Sequence, residues 1–254
     1  MPVPEKLPNL QEECKENPDG FEMSQVGKRA VDMLYDLKSD KYQANTINEL
    51  YNKMGGEGYD EWARVVNFTE PYEIAKQVYQ SEQEEAIDMP RDSAILDVGA
   101  GTGIIGKCLT EQGYTNMQAL DASEEFQKSL CELGAYQDVH QQYLGYGVDN
   151  LPAHLKGRFD CVTASGVFLL KHMPKEAMDD IHATLKSGGY FITAMRSYLY
   201  ANGEECGYKD KIDELIEAGK FELVRTKRFM RGTKEGSGLF GLMESILVVL
   251  RRID

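Results

Sequence analysis

The chain has 254 residues, 42% apolar and 28% charged, the makeup of an ordinary water-soluble globule with room for a sizeable core. Forty-two acids against 28 bases give a formal charge of −14, which argues against a sequence-independent grip on nucleic acid, because such binding works by neutralising phosphates. Cys14, Cys108, Cys131, Cys161 and Cys206 are scattered and form no C-x-x-C pair, so neither a disulfide framework nor a metal site is expected, and a reducing, cytoplasmic setting is.

Residues 1–20 are expected to be a disordered tail; they are acidic and proline-bearing and lack the apolar stretch of a secretory leader. No apolar run reaches the length of a membrane span. Residues 21–90 read as a helical extension. Val26, Ala30, Val31, Leu34, Leu37, Ile47, Leu50 and Tyr51 recur at helical spacing, with a polar break near Ser39-Asp40. Met54-Gly55-Gly56-Glu57-Gly58 reads as flexible punctuation. A short helical turn over 59–63 and a second helix over 72–83 follow, Pro71 suiting the first turn of the latter.

Near residue 93 the rhythm changes to strand and helix in alternation. Strands are expected over 94–98, 116–120, 141–144, 159–164 and 190–195, the third only weakly marked. Helices are expected over 104–112, 124–133, 175–185 and 209–218, with Ser123 as a cap and Ser187-Gly188-Gly189 as a turn. Two β-rich stretches, 221–229 and 245–251, close the chain with only a basic, glycine-bearing linker over 230–238 between them. The pattern predicts an α/β fold over 91–254: a doubly wound, seven-stranded, mostly parallel sheet whose last strand is antiparallel.

The most informative stretch is Ile95-Leu96-Asp97-Val98-Gly99-Ala100-Gly101-Thr102-Gly103-Ile104-Ile105. It reads as a strand, a tight glycine turn and a helix N-terminus, whose free N–H groups suit an anionic ligand group. Gly101 to Gly106 also satisfies G-x-G-x-x-G, so a dinucleotide enters consideration. Asp97 argues against it, since a pyrophosphate on the turn would meet a second anion. So do the extra alternate glycine and the terminal hairpin. An acid beside a helix N-terminus suits a zwitterion: carboxylate to the helix, ammonium to Asp97. Asp121, at the end of the second strand, can accept both hydroxyls of a ribose; its other reading is a helix cap.

Ile95–Gly103 (ILDVGAGTG) resembles motif I of the class I S-adenosylmethionine-dependent methyltransferases. Leu120-Asp121-Ala122-Ser123 resembles their acidic loop, Phe159–Ala164 their fourth-strand motif, and Leu185-Lys186-Ser187-Gly188-Gly189 their L-K-P-G-G turn, with Ser187 in place of proline. Tyr59-Asp60-Glu61-Trp62-Ala63 is similar to the lead-in of methyltransferase-like proteins, in particular those of the Williams–Beuren region. The resemblance covers about residues 59–254. It implies S-adenosylmethionine as cofactor and S-adenosylhomocysteine as product. It implies that Asp97, Gly99, Ala100, Gly101, Thr102 and Gly103 hold the methionine end, Asp121 the ribose, and Ala122 and Ser123 the adenine side. Leu144 and Gly145 would border the adenine, although Leu144 reads equally as core. Ser165 and Gly166 would lie near the transferred methyl. Tyr59 and Trp62 would form part of a lid, Trp62 being open also to a packing role.

Transfer from a sulfonium is an in-line displacement that needs positioning and exclusion of water more than acid–base chemistry. His172 is the candidate base where one is needed, with a structural role as the alternative. Ser165-Gly166-Val167-Phe168 is not [DN]-P-P-[FY], and no Pro-Cys dipeptide occurs, so the resemblance points to a small-molecule acceptor over nucleic acid. A protein acceptor, and a non-catalytic cofactor-binding protein that acts through partners, stay open. RTKRFMR (225–231) reads as a solvated strand face.

Overall fold

The structure is a computed structural model and describes residues 44–79, 87, 89–169, 172–201, 206–232 and 242–254. The expected tail over 1–20, the helical spacing over 25–43 and most of the basic linker lie outside them. In chain order come α1 (Ala44–Val65), α2 (Glu70–Tyr79), β1 (Ile95–Val98), α3 (Ile104–Glu111), β2 (Met117–Asp121), α4 (Glu124–Leu133) and β3 (Asp138–Gln141). Two 3₁₀ turns precede β4 (Phe159–Ser165), α5 (Ala177–Thr184), β5 (Leu185–Arg196), α6 (Ser197–Ala201), α7 (Tyr208–Glu217), β6 (Phe221–Arg231) and β7 (Met243–Arg252). The seven strands form one sheet in the order β3-β2-β1-β4-β5-β7-β6. β1 to β5 pair in parallel, and β7 runs antiparallel between β5 and β6, as the sequence predicts.

Both faces of the sheet are covered, so the central strands are continuous apolar runs. Leu96, Val98, Leu120, Val162 and Phe191 point into one core and Ile95, Met117, Cys161, Ile192 and Leu247 into the other. Each large apolar side chain buried here contributes roughly 1.5–3 kcal/mol. α4 starts where Ser123 Oγ accepts from Phe126 N at 3.2 Å and stops at Gly134 in the left-handed region. Among the described residues no helix is long and apolar enough to cross a membrane.

Several elements differ from the sequence pattern. β3 lies at Asp138–Gln141 rather than 141–144. It is an edge strand with no buried residue, so no apolar alternation marks it. Leu144, which drew the strand onward, lies beyond it and packs in the core with Leu151 and Leu155. The glycine punctuation at 54–58 is confined to one residue: α1 continues through it and kinks at Gly55 (φ 72°, ψ 170°). β5 begins at Leu185 rather than at 190 and carries the expected turn as a bulge, with Phe159 opposite Leu185 but Cys161 opposite Tyr190. A Cβ on Gly189 would sit 3.0–3.1 Å from three backbone oxygens, so only glycine fits that bulge. α6 was not foreseen.

Candidate functional site

The order of strands reverses between β1 and β4, and open α/β sheets place ligands in the crevice at the carboxyl ends of strands at such a point. β1 ends in the glycine turn, where Gly99, Gly101 and Gly103 all take positive φ. Gly99 N and Ala100 N donate to Leu120 O at 2.7 and 3.2 Å, which folds the turn onto the end of β2. Gly101 N donates to Asp121 Oδ2 at 2.8 Å, and Ser123 N to Asp121 Oδ1 at 2.9 Å. Among the described residues, the side chain within 4 Å of a Cβ on Gly101 is Tyr59, whose ring would lie 3.8 Å away.

Asp97 is 3% exposed, with Thr163 directly across the β1–β4 ladder. Its carboxylate accepts from Thr163 Oγ1 at 2.9 Å and from Tyr136 OH at 2.6 Å. Burial pushes its pKa up to about 7 against the pull of those two hydroxyls, and Asp121 raises it further. Burial also raises Asp121, opposed by the N–H groups of Ser123, Gly101 and Ala122. Two costly carboxylates thus flank one glycine turn.

α1 roofs this edge. Asn48 Nδ2 donates to Ala122 O at 3.1 Å and to Tyr143 OH at 2.8 Å, and Asn52 Oδ1 accepts from Ser123 Oγ at 2.7 Å. Thr102 Oγ1 donates to Asp60 Oδ1 at 2.5 Å. Tyr51, Tyr59, Trp62, Phe68 and Phe126 form a chain of ring contacts with centroids 5.3–6.1 Å apart. Each such contact is worth about 0.5–1.5 kcal/mol beyond the area buried. Beneath the roof a small cleft separates Tyr59 and Phe68 from Asp97, Gly99, Ala100 and Ser165. Ser165 Oγ is buried with no hydrogen-bond partner among the described residues.

The sequence-predicted residues therefore divide. Tyr59, Asp97, Gly99, Ala100, Thr102 and Ser165 line one cleft. Gly101, Asp121, Ala122 and Ser123 join it through the hydrogen bonds above. Trp62 belongs to the apolar roof with Met54, Val66 and Phe68. Gly103 starts α3, and a Cβ on it would lie 2.5 Å from Leu133 and 3.2 Å from Leu130, both on α4. Gly166 is the seat of Phe68, whose Cζ would lie 2.8 Å from a Cβ there. Leu144 is core, and Gly145 N donates to Asp180 Oδ2 at 2.6 Å; neither lines the cleft. His172 Nε2 lies 3.0 Å from Tyr51 OH, joining the loop after β4 to the roof.

Sequence reasoning missed Tyr51, Phe68, Tyr136 and Thr163. Thr163 could have been found by aligning the ends of the two motif strands, since register alone sets it beside Asp97. The basic stretch 225–231 is exposed at Thr226, Lys227 and Arg228, but Arg231 is a correction: it is 2% exposed, drawn in by the buried Glu70 at 3.4 Å.

A sequence profile described as a methyltransferase domain matches residues 60–225. The ribosomal protein L11 methyltransferase of Staphylococcus saprophyticus is 32% identical over 113 residues, 40% of this chain and 31% of that protein. Methyltransferase-like protein 27 of Homo sapiens is 29% identical over 137 residues, 52% of this chain and 53% of that protein, in line with the Williams–Beuren-region resemblance. The matches thus span about a third to a half of these relatives' own lengths. Among solved structures, magnesium protoporphyrin IX methyltransferase from Synechocystis PCC 6803, solved with bound S-adenosylmethionine, shares the fold at a TM-score of 0.55 and 16% identity. The likeness covers 84% of this chain and 100% of that one.

Proposed function

The chain belongs to the methyltransferase domain family, and from that premise we propose that it moves a methyl group from S-adenosylmethionine to a small-molecule acceptor. The observation that carries this reading is the pair of buried carboxylates, Asp97 and Asp121, on either side of the glycine turn. A buried carboxylate is costly without a cation or donors. An amino-acid ammonium answers Asp97, and the N-terminus of α3 suits the carboxylate of the same ligand. Asp121 spends one lone pair per oxygen on Gly101 N and Ser123 N, which leaves acceptor capacity for ribose hydroxyls. Ser165 Oγ, without a partner among the described residues, and the open face of Gly101 are groups such a ligand would meet.

The bound cofactor would supply an electrophilic methyl on a sulfonium. The residues of this chain then orient and dehydrate. Asp97 and Asp121 fix the two ends of the donor, and the Tyr59–Trp62–Phe68 roof keeps water out. Where the acceptor must shed a proton, Tyr51 OH would take it while passing its own to His172 Nε2, 3.0 Å away. The small roofed cleft favours a compact acceptor. A protein acceptor is the second reading, supported by the likeness to ribosomal protein L11 methyltransferases. The free thiols of Cys108, Cys131 and Cys161 suit a reducing compartment such as the cytoplasm.

Calorimetry with S-adenosylmethionine and with NAD tests the reading. Binding of the first and not the second is expected; the reverse overturns it. A metabolite screen that follows release of S-adenosylhomocysteine then separates an enzyme from a binding protein.

A further inference from the structure

β4, β5 and β6 all run the same way, so Ser165, Arg196 and Arg231, their last residues, share one edge of the sheet. Ser165 pairs with Ala194, two residues before Arg196. Both arginines are buried, Arg196 at 9% and Arg231 at 2% exposure. Arg196 Nη1 donates to Tyr198 OH at 3.1 Å, while its Nε has no partner among the described residues. Arg231 Nη1 reaches Glu70 Oε1 at 3.4 Å, while its Nε and Nη2 have none among the described residues. Glu70 is itself shared, since Oε1 also accepts from Ser245 Oγ at 2.6 Å.

The Arg231 guanidinium stands 5.2 Å from the centre of the Phe68 ring, and Phe68 lines the cleft together with Ser165. Burial lowers the pKa of Arg231 and Glu70 raises it, while Arg196 is near enough to lower it again. A guanidinium cannot shed its proton to escape that cost. Among the described residues, Arg231 therefore meets one buried carboxylate, Arg196 meets none, and three donor nitrogens are left over, beside the cleft of a chain whose overall charge is −14. A structural pair would be matched charge for charge; this one has a surplus of charge and of donors.

We propose that Arg196 and Arg231 form an oxyanion site that holds a carboxylate or phosphate group of the methyl acceptor and so presents its accepting atom near Ser165. This rests on the methyltransferase reading for the identity of the reaction, but not for the anion site itself. Guanidinium forks suit both oxyanions, which bind through paired, charge-assisted hydrogen bonds. Neutral and cationic acceptors leave the two cations unanswered.

The test is titration of the full chain, alone and saturated with S-adenosylhomocysteine, with matched probes: benzoate against benzamide, phenyl phosphate against phenol, and inorganic phosphate. The carboxylate or the phosphate member is expected to bind about tenfold or more tightly than its neutral partner, and the arm that responds says which oxyanion the site takes. Arg196→Gln should abolish that preference. Arg231→Met leaves Glu70 buried and unpaired, so the double variant Arg231→Met/Glu70→Met, which removes both charges, serves as the second probe and should also lose it. Equal binding of acid and neutral partners in every pair overturns the inference, as does a preference that survives Arg196→Gln. The two readings separate cleanly. A chain that binds S-adenosylmethionine without preferring any acid overturns the anion site alone. A chain that prefers the acid through Arg196 yet binds no S-adenosylmethionine supports the anion site and overturns the methyltransferase reading.

Discussion

Tyr136 OH donates to Asp97 Oδ2 at 2.6 Å, and the same phenol oxygen accepts from Gly106 N at 3.0 Å. One side chain from the loop between α4 and β3 thus ties the acid of β1 to the first turn of α3. It also accounts for the last glycine of the G-x-G-x-x-G pattern: a Cβ on residue 106 would run into the Tyr136 ring. Tyr136→Phe removes a charge-assisted bond and leaves Gly106 N without its acceptor. The expected loss is about 1–3 kcal/mol of stability, read by urea denaturation. Because that hydroxyl lowers the Asp97 pKa, the variant should also bind cofactor less well at neutral pH. A variant as stable as the parent would show the bond to be incidental.

Asp97 predicts a pH signature. Its pKa is about 7 in the folded chain and about 3.9 when unfolded. Between those values the folded state holds a proton that the unfolded state has lost, so this group's contribution is full below about pH 4 and is lost as pH rises through 7. Asp97→Asn imitates the protonated form at every pH. Its stability relative to the parent should climb by a few kcal/mol from pH 4 to pH 7 and stay level above. The opposite trend is expected for binding. An ammonium ligand needs the carboxylate, so parental affinity for S-adenosylmethionine should fall as pH drops below 7, by up to about tenfold per unit. The asparagine variant should bind weakly and without that slope. Thermal melts and calorimetry across pH 5–8 check both halves.

Asp121 supplies the ribose test. Asp121→Ala should weaken cofactor binding by ~1–3 kcal/mol through loss of charge-assisted hydrogen bonds. The alanine also frees Gly101 N and Ser123 N, so part of its effect is organisation of the turn. Asp121→Asn retains an acceptor and should fall between alanine and parent. Affinity unchanged in both variants would remove Asp121 from the cofactor site.

How much of this was readable beforehand follows from what each element uses to hold itself in place. The strand–turn–helix around Gly99–Gly103 is local: its apolar run, its glycines and its acid all lie within eleven consecutive residues. The antiparallel end was legible because no helix of convincing length separates the last two stretches. β3 escaped because an exposed edge strand is held by backbone pairing to β2 and carries no apolar stripe. Tyr136 and Thr163 escaped for a different reason. Each is an unremarked polar residue until the sheet brings it to Asp97, 39 and 66 residues away in the chain. Arg231 escaped because six neighbours of mixed charge and exposure hide one residue whose partner, Glu70, lies on α2. Motifs carry the local half of a site; long-range partners are fixed by topology.

A lid role for α1 is proposed from the same kind of partnership. Asn48 and Asn52 lie one helical turn apart on α1 and meet Ala122 O and Ser123 Oγ, so the roof is fastened directly to the acidic loop. Each bond is worth about 1 kcal/mol. Asn48→Ala/Asn52→Ala should therefore raise the cofactor's dissociation rate by about ten- to thirtyfold, measured by stopped-flow displacement, while the association rate holds or increases. Gly55→Ala acts on the same helix by another route. Among the described residues nothing lies within 4 Å of a Cβ there, but φ is 72° and ψ 170°, a region essentially reserved for glycine, so the cost of about 1–3 kcal/mol is backbone strain at the kink and not a clash. If the double variant leaves the dissociation rate unchanged, α1 is a fixed wall of the cleft and not a lid over it.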